Sequence, residues 1–254
     1  MLAKEVFIEE MTWPEVKKAL ESGSDRVIVM AGSIEQHGLH LPTKMDAHSA
    51  EVLAELFAKR LGKTLVAPII RPGCSEHHMY FPGSMTLRKE VFQDVVRDYV
   101  DNMVRHGFKN IILATTHGGN FDPMQELVPE LKAKYEAQGI KIIPILDFAE
   151  FVEAQNSILE EFKMDEGDAG VHSGGSETSF LMASEPESVR MDKLARGYVG
   201  KFDAAFDEVL MSKGMQAVTD IGVLGDATVA SKEFGEKLID ALADYYVEMA
   251  RREL

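Results

Sequence analysis

Unbroken apolar runs of strand length alternate with helix-spaced apolar positions along most of the chain. "DRVIVMAGS" (25–33), "TLVAPII" (64–70), "KNIILAT" (109–115) and "IKIIPILDF" (140–148) are the apolar runs. Such runs suit strands covered on both faces. Between them, "DAHSAEVLAELFAKRLG" (46–62), "LRKEVFQDVVRDYVDNMVRHG" (87–107) and "DPMQELVPELKAKYEAQG" (122–139) carry apolar residues at helical spacing and close on glycine. "MTWPEVKKALESG" opens with Thr12-x-x-Glu15 and a first-turn proline, which predicts a short capped helix. "ETSFLMASEP" predicts another short helix, and 228–253 a long C-terminal one, while 195–226 shows no clear period.

Parallel strands need long crossovers, and the helices supply them. The pattern therefore predicts one α/β domain over 1–254, a mostly parallel sheet with helices on both faces. Ligands in such folds gather at the carboxyl ends of strands. Polar clusters fall there after 26–32, 64–70 and 110–116, and a further cluster lies in the loop around 172.

Charge narrows the partners. The net charge of −15 disfavours nucleic acid and anionic membrane surfaces and leaves small molecules, metal cations and copies of the same chain. The single cysteine, Cys74, allows no intrachain disulfide and fits a reducing compartment. The acidic start "MLAKEVFIEEM" has no apolar signal core, and no run of about 18 apolar residues suggests a span. A cytoplasmic protein is expected.

The densest chemistry is "GSIEQHGLHLPTKMDAHSAE" (32–51). In extended backbone Glu35 and His37 point to one side. Asp46 opens the next helix, where it could simply be an N-cap, with the histidines as solvated loop residues. His117 follows a strand and precedes Gly118-Gly119-Asn120, where glycines permit a sharp turn. Together Glu35, His37, Asp46 and His117 make a nitrogen and oxygen ligand set for zinc, manganese or iron(II), not calcium. Asp46 could bridge two ions that activate a shared water. "VHSGGSET" adds His172 and Glu177; Glu177 is read equally as first-turn helix chemistry, as a ligand or as an acid/base. His77, His78 and Ser84 in "SEHHMYFPGS" are expected to line a substrate pocket, and the backbone at Gly118, Gly119 and Asn120 to orient an anionic or carbonyl group. His40, His48, His106 and Cys74 are read as structural, and the 14 methionines as core. No G-x-S-x-G elbow, phosphate loop or G-x-G-x-x-G turn is present.

"GSIEQHGLHLP", "MDAHSAE", "EHHMYFPGS", "THGGN", "HSGGSETS" and "GVLGDATVASKEFGE", in that order between about Glu15 and Leu238, resemble the creatininase (creatinine amidohydrolase) family. The resemblance implies a three-layer α/β/α fold with a metal site of one or two divalent ions. It implies hydrolysis of a carbon–nitrogen bond in an amide, cyclic amide or formamide, and a homo-oligomer, often a hexamer. Glu35, His37, Asp46 and His117 match the family's ligands, with Asp46 bridging. His172 matches a histidine that shuttles protons near substrate, and Glu177 the acid of an H-A-G-x-x-E-T-S stretch. Creatininase proper has "HYEN" where this chain has His117-Gly118-Gly119-Asn120, so a ligand glutamate is replaced by Gly119 and a substrate-touching tyrosine by Gly118. Ser84 for threonine and "HSGG" for "HAG" are milder departures. A member other than strict creatininase is therefore expected, either with Glu177 completing the second ion site or with one tight ion. The wider family includes a formamide deformylase and a peptide-trimming enzyme of mycofactocin maturation. A non-catalytic binding protein built on the same pocket is the rival from another class.

Overall fold

The computed structural model describes residues 5–254. In chain order the elements are α1 (Trp13–Glu21), β1 (Arg26–Ala31), α2 (Met45–Leu61), β2 (Thr64–Val66), α3 (Lys89–His106), β3 (Asn110–Thr115), α4 (Phe121–Gln125) and α5 (Val128–Tyr135). Then come β4 (Lys141–Ile145), α6 (Phe148–Asn156), α7 (Leu159–Phe162), α8 (Glu166–Ala169), α9 (Gly175–Ser184), α10 (Ala204–Lys213) and α11 (Lys232–Glu253).

The strands form one parallel sheet in the order β2-β1-β3-β4. β1 and β3 run side by side from Arg26 opposite Asn110 to Ala31 opposite Thr115. Alternate strand residues feed two cores, which makes the three layers. Ile28, Met30, Ile112 and Ile143 meet α2, α9 and α11 through Leu53, Phe57, Phe180 and Leu238. Val27, Val29, Ile111 and Leu113 meet α3 and α5 through Phe92, Val96, Val100 and Leu131. Each fully buried large aliphatic or aromatic side chain contributes roughly 1.5–3 kcal/mol. The Tyr246 hydroxyl of α11 donates to Thr115 O at 2.8 Å and fixes the end of β3. Chain connections leave β1 and β3 in opposite directions, so a crevice opens between their carboxyl ends.

Several boundaries differ from the sequence reading, each for a local reason. The helix expected over 122–139 is two, α4 and α5. Pro129, second in α5, has no N–H to continue the ladder. Asp46 is not an N-cap: Lys44 takes that place and Asp46 lies in the first turn of α2. The C-terminal helix starts at Lys232, where the Ser231 side chain accepts from the Phe234 N–H at 3.2 Å. The strand within 64–70 stops at Val66, although Ile70 still bridges Ala31. Thr12 N–H does donate to Glu15 Oε2 at 2.7 Å, as the capping pattern requires. Among the described residues no helix is long and apolar enough to cross a membrane.

Candidate metal centre

Close backbone packing at the β1 and β3 ends brings the ligand candidates together. Thr115 Oγ1 donates to Ala31 O at 2.9 Å and locks the two strand ends. Gly32 follows β1, and a Cβ there would lie 2.6 Å from Ala47 Cα, so only glycine lets the first turn of α2 come so near. Thr116 Oγ1 donates to Asp46 O at 2.8 Å. The Asp46 carboxylate is thereby held between His37 and His117. Its Oδ1 is 3.2 Å from His37 Nε2 and its Oδ2 is 3.2 Å from His117 Nδ1. Glu35 Oε2 is 3.4 Å from His117 Nε2, and Glu35 Oε1 is 3.1 Å from His78 Nε2 and 3.6 Å from His172 Nδ1. Glu177 Oε2 reaches to 3.5 Å from His37 Nε2.

Burial and mutual charge set the protonation of the free cluster. Burial pushes Glu35 up to about 7; Asp46 adds to this and His117 opposes it. Burial would lower His37, but Asp46 and Glu177 outweigh it and hold the imidazole well above its ordinary value. Burial is likewise outweighed at His117, which Glu35 and Asp46 raise to about 9. Burial would raise Asp46, yet His37 and His117 hold it well below the usual carboxylate range. Burial, with the charge of His37, drives His172 well below its ordinary value and keeps it neutral at pH 7. Burial also pushes the Cys74 thiol up to about 11, in keeping with an unreactive cysteine.

Whether these residues fit a metal is decided by buried atoms that nothing else satisfies. Both Glu35 carboxylate oxygens, His37 Nε2 and Asp46 Oδ2 are buried and make no hydrogen bond of good geometry, although all lie among the close contacts above. Unpaired buried acceptors are costly. Converging from three directions, they suit cations. Glu35, Asp46 and His117 form one set of candidate ligands; His37, Asp46 and Glu177 form a second, sharing Asp46; Glu35, His37 and His172 form a third grouping. His37 Nδ1 donates to Glu35 O at 3.1 Å, which leaves Nε2 as the atom that a metal ion would take in exchange for its proton. The residues present fit one or two divalent ions with mixed imidazole and carboxylate ligands.

Gln36 sets two further tautomers, and the sequence reading passed over it. Its side-chain nitrogen donates its two hydrogens to His78 Nδ1 at 3.0 Å and Gly222 O at 3.3 Å. The same nitrogen also lies 2.9 Å from His172 Nε2, and the two compete for hydrogen-bonding partners. His172 Nε2 instead donates to Gln36 O at 2.8 Å, and its Nδ1 lone pair faces Glu35. His78, with Nδ1 accepting, turns its Nε2–H to Glu35. The only signal for Gln36 in the sequence is its place between Glu35 and His37.

Glu35, His37, Asp46, His117, His172 and Glu177 thus share one site. His77, His78, Gly118 and Gly119 line the adjoining cavity. Ser84 and Asn120 do not line it. Ser84 Oγ accepts from Gln36 N–H at 2.9 Å, and Asn120 accepts from Cys74 N–H while donating to Gly32 O and Thr115 Oγ1. Both side chains hold loops in place, and the Asn120 N–H, expected to orient a substrate group, donates to His117 O at 3.0 Å. No side chain can stand at 119 without rearrangement, because a Cβ would meet Cys74 O at 2.1 Å. His40 is buried, with Nε2 2.8 Å from Thr178 Oγ1. His48 lies 2.9 Å from Ser184 Oγ, a structural role like that expected of it.

The creatininase family, described as creatinine amidohydrolase, matches residues 9–250. A mycofactocin precursor peptide peptidase from Mycolicibacterium smegmatis is 27% identical over 92% of this chain and 88% of its own length. A creatinine amidohydrolase from Pseudomonas putida is 25% identical over 99% of this chain and 98% of its own. Among solved structures, a manganese form of creatininase superposes with a TM-score of 0.81 at 24% identity, covering 98% of each chain. A zinc–zinc form of a creatininase variant gives 0.80 at 24% identity, again over 98% of each chain. These two structures establish likeness of fold.

Proposed function

Because this chain belongs to the creatininase family, and is not a strict creatininase, we propose that it is a metal-dependent hydrolase of an amide carbon–nitrogen bond. The observation that carries the reading is the convergence of Glu35, His37 and Asp46 atoms that are buried without hydrogen-bond partners. Glu35, Asp46 and His117 would hold one ion, and His37, Asp46 and Glu177 a second, with Glu177 taking the part that Gly119 cannot. Zinc, manganese or iron(II) bound there supplies a Lewis acid and makes water deprotonation accessible near neutral pH. His172 is neutral, with its Nδ1 lone pair turned to the cluster. It accepts a proton as water is activated and returns it to the leaving nitrogen. His78 keeps Glu35 oriented, and Gly118 and Gly119 leave the cavity floor open for the carbonyl.

The bond belongs to a small amide, cyclic amide or formamide. A second reading, the trimming of a peptide, is favoured by the relative named as a peptidase. We place the activity in one domain over 1–254 of a cytoplasmic homo-oligomer, up to a hexamer, with small-molecule partners and neither nucleic acid nor membrane.

Plasma mass spectrometry of the purified protein, normalised to chain, tests the metal. One to two transition-metal ions per chain are expected. A protein that takes up no zinc, manganese or iron(II) would remove this reading in favour of a metal-free binding protein. Hydrolysis of formamides, lactams and short peptides by the loaded protein tests the chemistry.

A further inference from the structure

The cavity at the cluster has a volume of about 420 Å³. That lies in the range of small-molecule pockets, roughly 300–1,000 Å³, and far exceeds what two ions and one carbonyl occupy. Its wall divides by chemistry. The ligand candidates make the polar part. Toward the core the wall is Leu53, Phe180, Leu238 and Leu242, all buried. Toward the surface it is Phe148 and Phe151 of α6 with Phe206, Leu210 and Met211 of α10. An unfilled apolar space forfeits dispersion contacts, so a lining of this kind suits an apolar group of matching size.

The charge of the wall is one-sided. Its acidic residues are Glu35, Asp46, Asp122, Glu177 and Asp207, five carboxylates, and among the described residues no lysine or arginine lines it. The formal charge of the five, −5, exceeds even the +4 that two divalent ions would bring. The chain as a whole, these carboxylates included, carries a net charge of −15. A carboxylate or phosphate on the substrate would therefore meet like charge with no cationic side chain to hold it.

We infer that the substrate of this site is an uncharged or cationic amide carrying an apolar arm of about aromatic size, and that amides bearing a carboxylate or phosphate are rejected. The inference rests on the proposed amide reading for the position of the reacting bond. The polar part takes the carbonyl, and the apolar arm enters the wall of α6, α10 and the core leucines. Asp207, beside Phe206 on α10, and Asp122, at the start of α4, face a positive or neutral outer group.

The test is isothermal titration calorimetry on manganese-loaded protein with four probes. L-phenylalaninamide is cationic, its N-acetyl form neutral and its N-succinyl form anionic, while glycinamide lacks the arm. The first two are expected to bind within about 10-fold of each other. The N-succinyl form is expected to bind at least ~10-fold more weakly than L-phenylalaninamide. Glycinamide is expected to be at least ~10-fold weaker than L-phenylalaninamide. Asp207→Lys should narrow the gap between the anionic and cationic probes. Equal binding of the anionic and cationic probes, equal binding with and without the arm, or no binding of any probe would each overturn the inference. This order of affinities without hydrolysis of any amide would leave the inference standing and remove the hydrolase reading. Hydrolysis that prefers anionic or armless amides would do the reverse.

Discussion

Glu35, Asp46 and His117 stand on neighbouring segments at the ends of β1 and β3 and the start of α2, whereas the His37 side of the centre is completed by Glu177, far along the chain. The Glu35 side chain is 1% exposed and the Glu177 side chain 23%. The first set is held by strand pairing, by the Gly32 contact with α2 and by the Asn120 hydrogen bonds. The second depends on a loop in which Ser173 has a φ of +55°, unusual for a residue with a side chain, and donates its N–H to Glu177 Oε2 at 2.6 Å. One half is thus set by the sheet and the other by a single turn docked onto it. The sheet-end half should bind its ion more tightly and vary less, and the Glu177 half should be where occupancy and chemistry are adjusted.

The largest effect belongs to the residue both halves share. Asp46→Ala should lower metal content to near zero and reduce turnover by ~10³-fold or more, on the order of what a lost catalytic metal costs. Far-UV circular dichroism should change little, because the Asp46 side chain pairs with His37 and His117 and caps no helix. Full activity in this variant would sink the metal reading for both halves.

His172→Ala comes next. His172 lies among the ligand candidates yet is oriented by Gln36, so its loss should leave metal content near the parent value while turnover falls roughly 10²–10⁴-fold, the usual worth of a general acid/base. Loss of metal instead would place His172 among the ligands. Glu177→Gln should separate the halves: metal content falls toward one ion per chain, while the Glu35 set keeps its own. A parallel loss of both ions would show that the halves do not load independently.

A smaller effect is expected outside the ligand sets. His78→Ala removes the Nε2 group that stands 3.1 Å from Glu35 Oε1 and should weaken metal affinity by about 10–100-fold, as loss of a residue that orients a ligand commonly does. Unchanged affinity would return His78 to a purely pocket-lining role.

The same contrast marks what the sequence made legible. Buried runs with helical crossovers announce a parallel layered sheet, because burial on both faces leaves no polar alternation. Glu35, His37, Asp46 and His117 could be picked out because strand ends are where such sheets expose side chains. Gln36 stayed hidden because its role comes from contacts with His78, His172 and Gly222, up to 186 positions away. Ser84 is expected from its loop to line the pocket and the Asn120 N–H from a helix start to orient a substrate group, yet the Ser84 hydroxyl accepts from Gln36 N–H and the Asn120 N–H donates to His117 O. The apolar wall from α10 was illegible for a plainer reason: 195–226 holds short turns and one ten-residue helix with no sustained period.

The smallest effect is one of pH, and it joins the two halves. In metal-free protein His117 is raised to about 9 by Glu35 and Asp46 against burial, and His37 is raised by Asp46 and Glu177 against burial. A histidine whose pKa is raised on folding stabilises the protein fully below its unfolded value, near 6.5, and that contribution is lost as pH rises through the folded value. Glu35, raised to about 7, changes in the same direction but has largely titrated by pH 8. His172 and His78 are lowered by burial, so their opposite contribution is complete just above 6.5. Between pH 7.5 and 9.5 the two raised histidines therefore govern, with the raised Cys74 thiol adding a smaller loss in the same direction, and the melting temperature of chelator-treated protein should fall by roughly 5–10 °C. Metal-loaded protein should show a much smaller fall, because coordinated imidazoles are already neutral, and apparent metal affinity should rise over the same interval as those protons become easier to displace. Glu177→Gln removes one of the carboxylates that raise His37 and leaves those around His117 in place, so the metal-free variant should lose less stability across this range. A metal-free melting temperature that stays flat or climbs would mean that the carboxylates do not hold these histidines charged, and that Asp46 does not couple the two halves.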